Sequence, residues 1–396
     1  MSQIEITIEG DTRPTFNAVR NVFHSLWKTI EVGASLCVYY QNEKVVDLWA
    51  GHRDRARTLS WEADTLVNVY SASKGVSSFA FACLVDEGKI SYDDKVSNYW
   101  PEFGAEEKQD ITVAQLLSHQ AGLCGVDTKL EVSDLYHWDK MCNLLAAQKP
   151  YWQPGSASGY HAVTWGYFPG ELIRRITGKS IGKYINEKIS NPLEADFYLG
   201  LPDSEMFRYS PLIGPNHMRR YIKSEEEKLA ALALKKSPPA IQPKLTQVAL
   251  MNPPISPFKD ASSSAWRHAE IPASNGHGSA RGLAKIYAAM SNGGHFNGLE
   301  ICSEEALALA NKLEVENTKD LVLGTTIRRS RGFILNTDAC YGPNPDSFGH
   351  AGAGGSMAFA DPKRKLSFAY VMNQMQNDTH PHRYKRLIDA VYECIA

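Results

Sequence analysis

Val69-Tyr-Ser-Ala-Ser-Lys-Gly-Val-Ser-Ser78 places a hydroxyl, Ser71, and an amine, Lys74, three residues apart. On a helix, residues at that spacing share one face. The amine then reaches the hydroxyl and makes the alcohol a nucleophile without a histidine. Ser-x-x-Lys also occurs at Ser25, Ser180 and Ser256, in other contexts. Ser256 stands among Pro253, Pro254 and Pro257, which forbid a regular helix. Ser25 lies in the apolar-periodic run 19–27, so Lys28 is a solvated end. Ser180 follows Gly178-Lys179 as an ordinary helix N-cap. Around Ser71 the text changes. Leu66-Val-Asn-Val-Tyr70 predicts a short buried strand, and Val76, Phe79, Ala82, Cys83 and Val85 recur at helical spacing up to Gly88. A serine at such a strand-to-helix junction stays accessible while its helix is buried. The competing reading is an N-cap serine with a solvent lysine.

Outward from this junction, strands are predicted at both ends of the chain. Residues 33–40 and 45–51 form a hairpin about the polar turn Gln41-Asn-Glu-Lys44, after an amphipathic helix over 15–30. Strands recur at 331–335, 356–360 and 366–372, and a helix over 384–395 closes the chain. Between the ends, helices are predicted over 111–123, 130–148, 163–177, 180–189, 223–236 and 283–292, with loops over 152–162 and 202–222. The Glu225, Glu226, Glu227 run and the closing Lys235, Lys236 match the dipole of the 223–236 helix and mark a solvated face. Residues 238–257 hold six prolines without a period and predict a long ordered loop bordering a binding cleft. The fold class is therefore α+β: an antiparallel sheet built from both termini, flanked by helices, with an inserted helical lobe. One catalytic domain fills 1–396, its α/β lobe made of 1–70 and 278–396 and its helical lobe of 71–277.

Composition excludes several function classes. A net charge of −2 gives no electrostatic case for nucleic acid or an anionic membrane. No apolar run approaches the roughly 18 residues of a membrane span. The N-terminus lacks the basic and apolar regions of a signal peptide, and seven scattered cysteines without C-x-x-C suggest reduced thiols rather than a zinc site. A cytoplasmic location, with no metal and no cofactor, is the expectation; the oligomeric state stays open. The glycine-rich Asn275-Gly-His-Gly-Ser-Ala-Arg-Gly282 lacks the spacing of a phosphate loop. His119 reads as a helix-end histidine bonding backbone, since adjacent residues on a helix diverge from each other. Gly354-Gly-Ser-Met-Ala358 falls short of a G-x-S-x-G elbow.

Three elements line up in order: Ser71-x-x-Lys74, the loop Gly159-Tyr160-His161-Ala162, and Phe348-Gly-His-Ala-Gly-Ala353 before a strand. The order resembles the serine β-lactamase and penicillin-recognising superfamily, with S-x-x-K, Y-x-N and K-T-G, and is most similar to class C β-lactamases and family VIII carboxylesterases. Leu116-Leu-Ser-His-Gln-Ala-Gly122, Pro154-Gly155 and the stretch 275–282 look like that family too, so the resemblance covers nearly the whole chain. It implies a β-lactamase/transpeptidase-like fold, with Ser71 as acylated nucleophile, Lys74 assisting its deprotonation and Tyr160 protonating the leaving group. The N–H groups of Ser71 and Ala353 would form the oxyanion hole, and His350, Gly352 and His161 would line the substrate site. Two departures matter. His350 and Ala351 stand where a lysine and a threonine would hold a substrate carboxylate, and Ala162 replaces the amide of Y-x-N. Both favour small esters without an anionic handle, hence a serine carboxylesterase. An acyltransferase of the same fold and a weak β-lactamase or D-amino-acid peptidase are the alternatives.

Overall fold

The computed structural model describes residues 6–28, 31–214, 242–316, 318–376 and 382–395. Fifteen strands are present among the described residues: β1 (Glu9–Thr12), β2 (Gly33–Tyr40), β3 (Glu43–Gly51), β4 (Leu66–Asn68), β5 (Phe197–Tyr198), β6 (Tyr209–Ser210), β7 (His277–Gly278), β8 (His295–Phe296), β9 (Leu299–Glu300), β10 (Leu313–Val315), β11 (Arg328–Ser330), β12 (Ile334–Leu335), β13 (Phe348–Ala351), β14 (Met357–Asp361) and β15 (Leu366–Met372). Nine form one antiparallel sheet in the order β1-β3-β2-β15-β14-β13-β12-β11-β10. The first and last parts of the chain meet where β2 pairs with β15, Val38 opposite Phe368. A second sheet, β5-β7-β4-β6, leads into the Ser71 turn. The architecture is the expected α+β one, a large antiparallel sheet joined from the two ends of the chain.

Period two along the central strands explains why the large sheet reads as nearly continuous apolar text. Cys37 and Tyr39, with Ala369 and Val371, face the core shared with the helices. Ala34, Leu36 and Val38, with Phe368 and Tyr370, face a second core under helices α1 (Asn17–Ser25) and α11 (His382–Glu393). Both faces are covered, so neither set can be polar. The β2–β3 turn is tighter than the four polar residues suggest. Gln41 and Asn42 alone span it, both at positive φ, the two-residue geometry that matches strand twist.

Helix α2 (Ser73–Asp86) runs through the middle of the molecule and is buried on every side from Ser73 to Leu84. It continues a 3-10 turn, Tyr70–Ala72, that carries Ser71. A side chain at Gly75 would collide with the Tyr287 hydroxyl of the helix Ala280–Ser291, so α2 packs flush against it. The remaining helices are α3 (Val113–Leu117), α4 (Trp138–Ala147), α5 (Tyr167–Thr177), α6 (Ile181–Ile185), α7 (Pro243–Met251), α8 (Ser264–His268), α9 (Ala280–Ser291) and α10 (Glu304–Ala310).

Three local expectations are corrected. Helix α3 stops at Leu117 because His119 takes a left-handed φ of 65°, before Gly122 is reached. Residues 331–335 are not one strand: Gly332, at φ 135°, turns the chain between β11 and β12. The proline-rich stretch contains helix α7, since Pro243 sits at its first position, where a missing N–H costs nothing. The expected helix at 223–236 lies outside the described residues, as do 238–241. No helix among the described residues is long and apolar enough to cross a membrane.

Candidate active site

Ser71 is presented by backbone strain. Tyr70 adopts φ 47°, a region a bulky residue occupies only when its surroundings force it. The turn is held by the Ser73 hydroxyl, which donates to the Tyr70 carbonyl and accepts from the Gly276 N–H. One helical turn on, Lys74 Nζ lies 3.2 Å from Ser71 Oγ. Nζ also donates to the carbonyls of Ala162 at 2.7 Å and Ala273 at 3.0 Å. From across the site Tyr160 donates its phenol proton to Ser71 Oγ at 2.8 Å. Residues far apart in sequence thus converge on one hydroxyl.

The electrostatics separate the two partners. Lys74 is fully buried, and burial first, the Arg329 cation second, holds its ammonium well below the usual lysine range. Burial pushes the Tyr160 phenol the other way, up to about 12, with the Ser71 hydrogen bond and Arg329 opposing. A neutral amine keeps two N–H groups and one lone pair. The two carbonyls can only accept, so they claim the two N–H groups and leave the lone pair toward Ser71. The arrangement can take a proton at Lys74 while Tyr160 keeps one to give.

The third element arrives on β13. A side chain at Gly352 would meet the Val69 carbonyl at 2.0 Å, so only glycine lets this strand end press against the Ser71 turn. Its missing side chain serves that packing, and its own N–H goes to the Ser356 carbonyl. The next residue, Ala353, is exposed. His350 is buried beside Tyr160, ring centroids 6.1 Å apart. Its Nδ1–H donates to the Ala351 carbonyl at 2.7 Å, which leaves Nε2 as a bare acceptor without a partner among the described residues. Burial, then Lys74, pushes it down to about 3, so the ring is neutral.

His161 is not part of this surface. Its side chain is fully buried; Nε2 accepts from the Leu123 N–H at 3.0 Å and Nδ1 faces the Gly159 carbonyl at 2.6 Å. Both ring nitrogens are taken up by main-chain groups of the loop, so the side chain braces the loop and is closed off from the Ser71 surface. His119 supports the same loop, accepting from the His161 N–H at 3.0 Å and packing against the Tyr160 ring. Leu245 and Ala249 of α7 pack with Tyr160 and Ala162.

Sequence reasoning missed five contributors. The carbonyls of Ala162 and Ala273 carry no side-chain signal. Asn275 shapes the loop that presents Ala273, bonding Ile271, Trp266 and Ala269; its glycine-rich surroundings were the available clue. Asp320 and Arg329 lie behind Tyr160, in a stretch with no motif.

A large antiparallel sheet, a central buried helix and a Ser-Lys-Tyr cluster at its start define a serine hydrolase of the β-lactamase and transpeptidase type. A family model of β-lactamases matches residues 19–392. The esterase/β-lactamase LipL of Mycobacterium tuberculosis is 32% identical over 386 residues, 92% of this chain and 83% of that protein. A family VIII carboxylesterase of known structure has a TM-score of 0.88 at 43% identity, covering 98% of this chain and 100% of the other. A penicillin-binding protein homologue from Caulobacter crescentus has a TM-score of 0.87 at 37% identity, over 98% and 100%. The chain belongs to the β-lactamase family.

Proposed function

We propose that this protein is a serine carboxylesterase that hydrolyses small esters through an acyl-enzyme on Ser71. The observation that carries the reading is the single hydroxyl within hydrogen-bond reach of both a neutralised lysine and a protonated tyrosine. In acylation, the Ser71 proton passes to Lys74 Nζ as Oγ forms a bond to the ester carbonyl carbon. The N–H groups of Ser71 and Ala353 receive the developing oxyanion. As the C–O bond to the alcohol breaks, Tyr160 gives its proton to the departing oxygen and is reprotonated from the Lys74 ammonium. Water then attacks the acyl carbon, losing its proton to the same pair, and the acid leaves as Ser71 regains its hydrogen.

Ester substrates are favoured by the third element. A neutral His350 and Ala351 offer no cation to a carboxylate, and the structural neighbour of 43% identity is described as a carboxylesterase. A second reading, residual β-lactam hydrolysis, is favoured by the double name of the LipL relative. Transfer of the acyl group to an alcohol in place of water is the remaining variant of the same cycle. The location we read is cytoplasmic, on seven free thiols.

Short p-nitrophenyl esters test the reading. Wild type is expected to hydrolyse them, and Ser71→Ala to lose at least about 10³-fold in kcat/KM. Equal rates in both would end it. A chromogenic cephalosporin and an added acceptor alcohol, assayed in parallel, separate the alternatives.

A further inference from the structure

Behind Tyr160 lies an ion pair that the cycle above does not use. Asp320 and Arg329 are each about 1% exposed, with Arg329 Nη2 on Asp320 Oδ2 at 2.5 Å. The other carboxylate oxygen accepts three backbone N–H groups: Tyr160 at 3.0 Å, Val322 at 2.9 Å and Leu323 at 2.8 Å. Asp320 therefore fixes the main chain from which the phenol reaches Ser71. Arg329 is less satisfied. Its Nε and Nη1 are buried without a partner among the described residues, and its Cζ lies over the Tyr160 ring, 5.4 Å from the centroid. Lys74 Nζ lies over that ring too, at 4.8 Å.

Two cationic groups around one buried ring cannot both carry charge cheaply where the dielectric is low. A guanidinium does not give up its proton in a protein, and an amine does. We infer that Asp320 and Arg329 are positioning residues for the proposed acid–base pair: Asp320 sets the place of Tyr160, and the Arg329 cation keeps the Lys74 amine in its basic, unprotonated form. The inference rests on the reading of Ser71, Lys74 and Tyr160 as the reacting groups. Asp320, bonded to the guanidinium at 2.5 Å, offsets part of its field, and the other titratable groups around Lys74 supply no cation. His119, His161 and His350 are buried and held neutral, Tyr160 is protonated, and Ala162 and Ala273 offer carbonyls only.

The test reads the nucleophile directly, through the pH dependence of Ser71 labelling by a fluorophosphonate. The isosteric neutral pair Asp320→Asn/Arg329→Gln, shown folded by thermal unfolding, is expected to move the midpoint of the labelling curve upward by about one pH unit or more. Labelling lost at neutral pH is then recovered in alkali. Asp320→Asn keeps the guanidinium and an oxygen to accept the three N–H groups, and its midpoint is expected at or below that of wild type. A folded neutral pair with an unmoved midpoint and a uniformly lower rate would show a merely structural role and overturn the inference. If the neutral pair does not fold, Asp320→Asn decides alone, since a midpoint moved upward with the guanidinium retained contradicts it. A wild type that is labelled yet inert toward esters defeats the carboxylesterase reading only. One that is labelled at no pH overturns both.

Discussion

Two lysines of this protein have no solvent exposure and do opposite things. Lys74 and Lys108 each place Nζ among three oxygen atoms. For Lys108 all three are carbonyls, of Ala105, Ala146 and Gln148, at 2.8 to 2.9 Å. Carbonyls only accept, so the three donors of an ammonium satisfy the set and the charge also suits the C-terminal end of α4. Burial pushes Lys108 down to about 8, opposed by Glu106, which still leaves it charged at neutral pH. For Lys74 one carbonyl is exchanged for the Ser71 hydroxyl, which donates as well as accepts. A cation, Arg329, also replaces the carboxylate as the neighbouring charge. The lesson is that closure from solvent by itself does not make a lysine a base. At Lys74 deeper burial, the largest influence, is joined by one exchangeable partner and one neighbouring cation.

The comparison can be broken most sharply by the same substitution at both places. Lys74→Met is expected to lower kcat/KM for p-nitrophenyl esters by about 10³-fold or more, while Lys108→Met leaves it within about threefold. Unfolding in denaturant should show the reverse weighting, because three orphaned carbonyls at Lys108 cost at least about 2 kcal/mol. Comparable activity losses in both variants would dissolve the distinction. Next in size is Tyr160→Phe, which keeps the ring between Lys74 and Arg329 but removes the proton donor; a loss of about 10²-fold in kcat is expected from burst and steady-state rates.

The pH profile sharpens the same contrast. Protonated Lys74 cannot accept the Ser71 proton, so kcat/KM should rise with pH through a midpoint well below the usual lysine value. No falling limb from Tyr160 is expected before about pH 12. A profile that climbs only near pH 10.5 would sink the base assignment. The smallest expected effect is a linkage at Lys108. Its folded value lies near 8 against an ordinary 10.5, so within that window the unfolded chain holds more protons. Wild type should therefore gain stability relative to Lys108→Met as pH rises from 8 toward 10.5. Urea unfolding of both proteins at pH 7 and pH 10 measures the difference.

Legibility in the sequence followed range. The hairpin 33–51, helix α2 and strands β14 and β15 are each written as runs of mostly apolar residues bounded by turn residues, and that text could be read directly. Where a conformational detail decided the outcome, it could not. His119 ends α3 by taking φ 65°, Gly332 splits an apparent strand, and Pro243 opens a helix inside a proline-rich stretch. His161 shows the limit at the site. Its type and its place beside Tyr160 suggested a substrate contact, but which way a loop residue faces is set by what packs around it, here the Leu123 N–H.

By itself the sequence determined that Ser71 and Lys74 are neighbours, because three residues of helix fix that distance whatever the rest of the chain does. It also determined the order of the three motifs. Only the tertiary structure decided that Tyr160, 89 residues on, and the Ala273 carbonyl, 199 residues from Lys74, would meet at that pair, and that Asp320 and Arg329 would stand behind them. The reason is physical. Periodicity records contacts within a few residues, whereas the charge state of a buried amine depends on every dipole and cation around it, and those are assembled by folding from positions with no local signature.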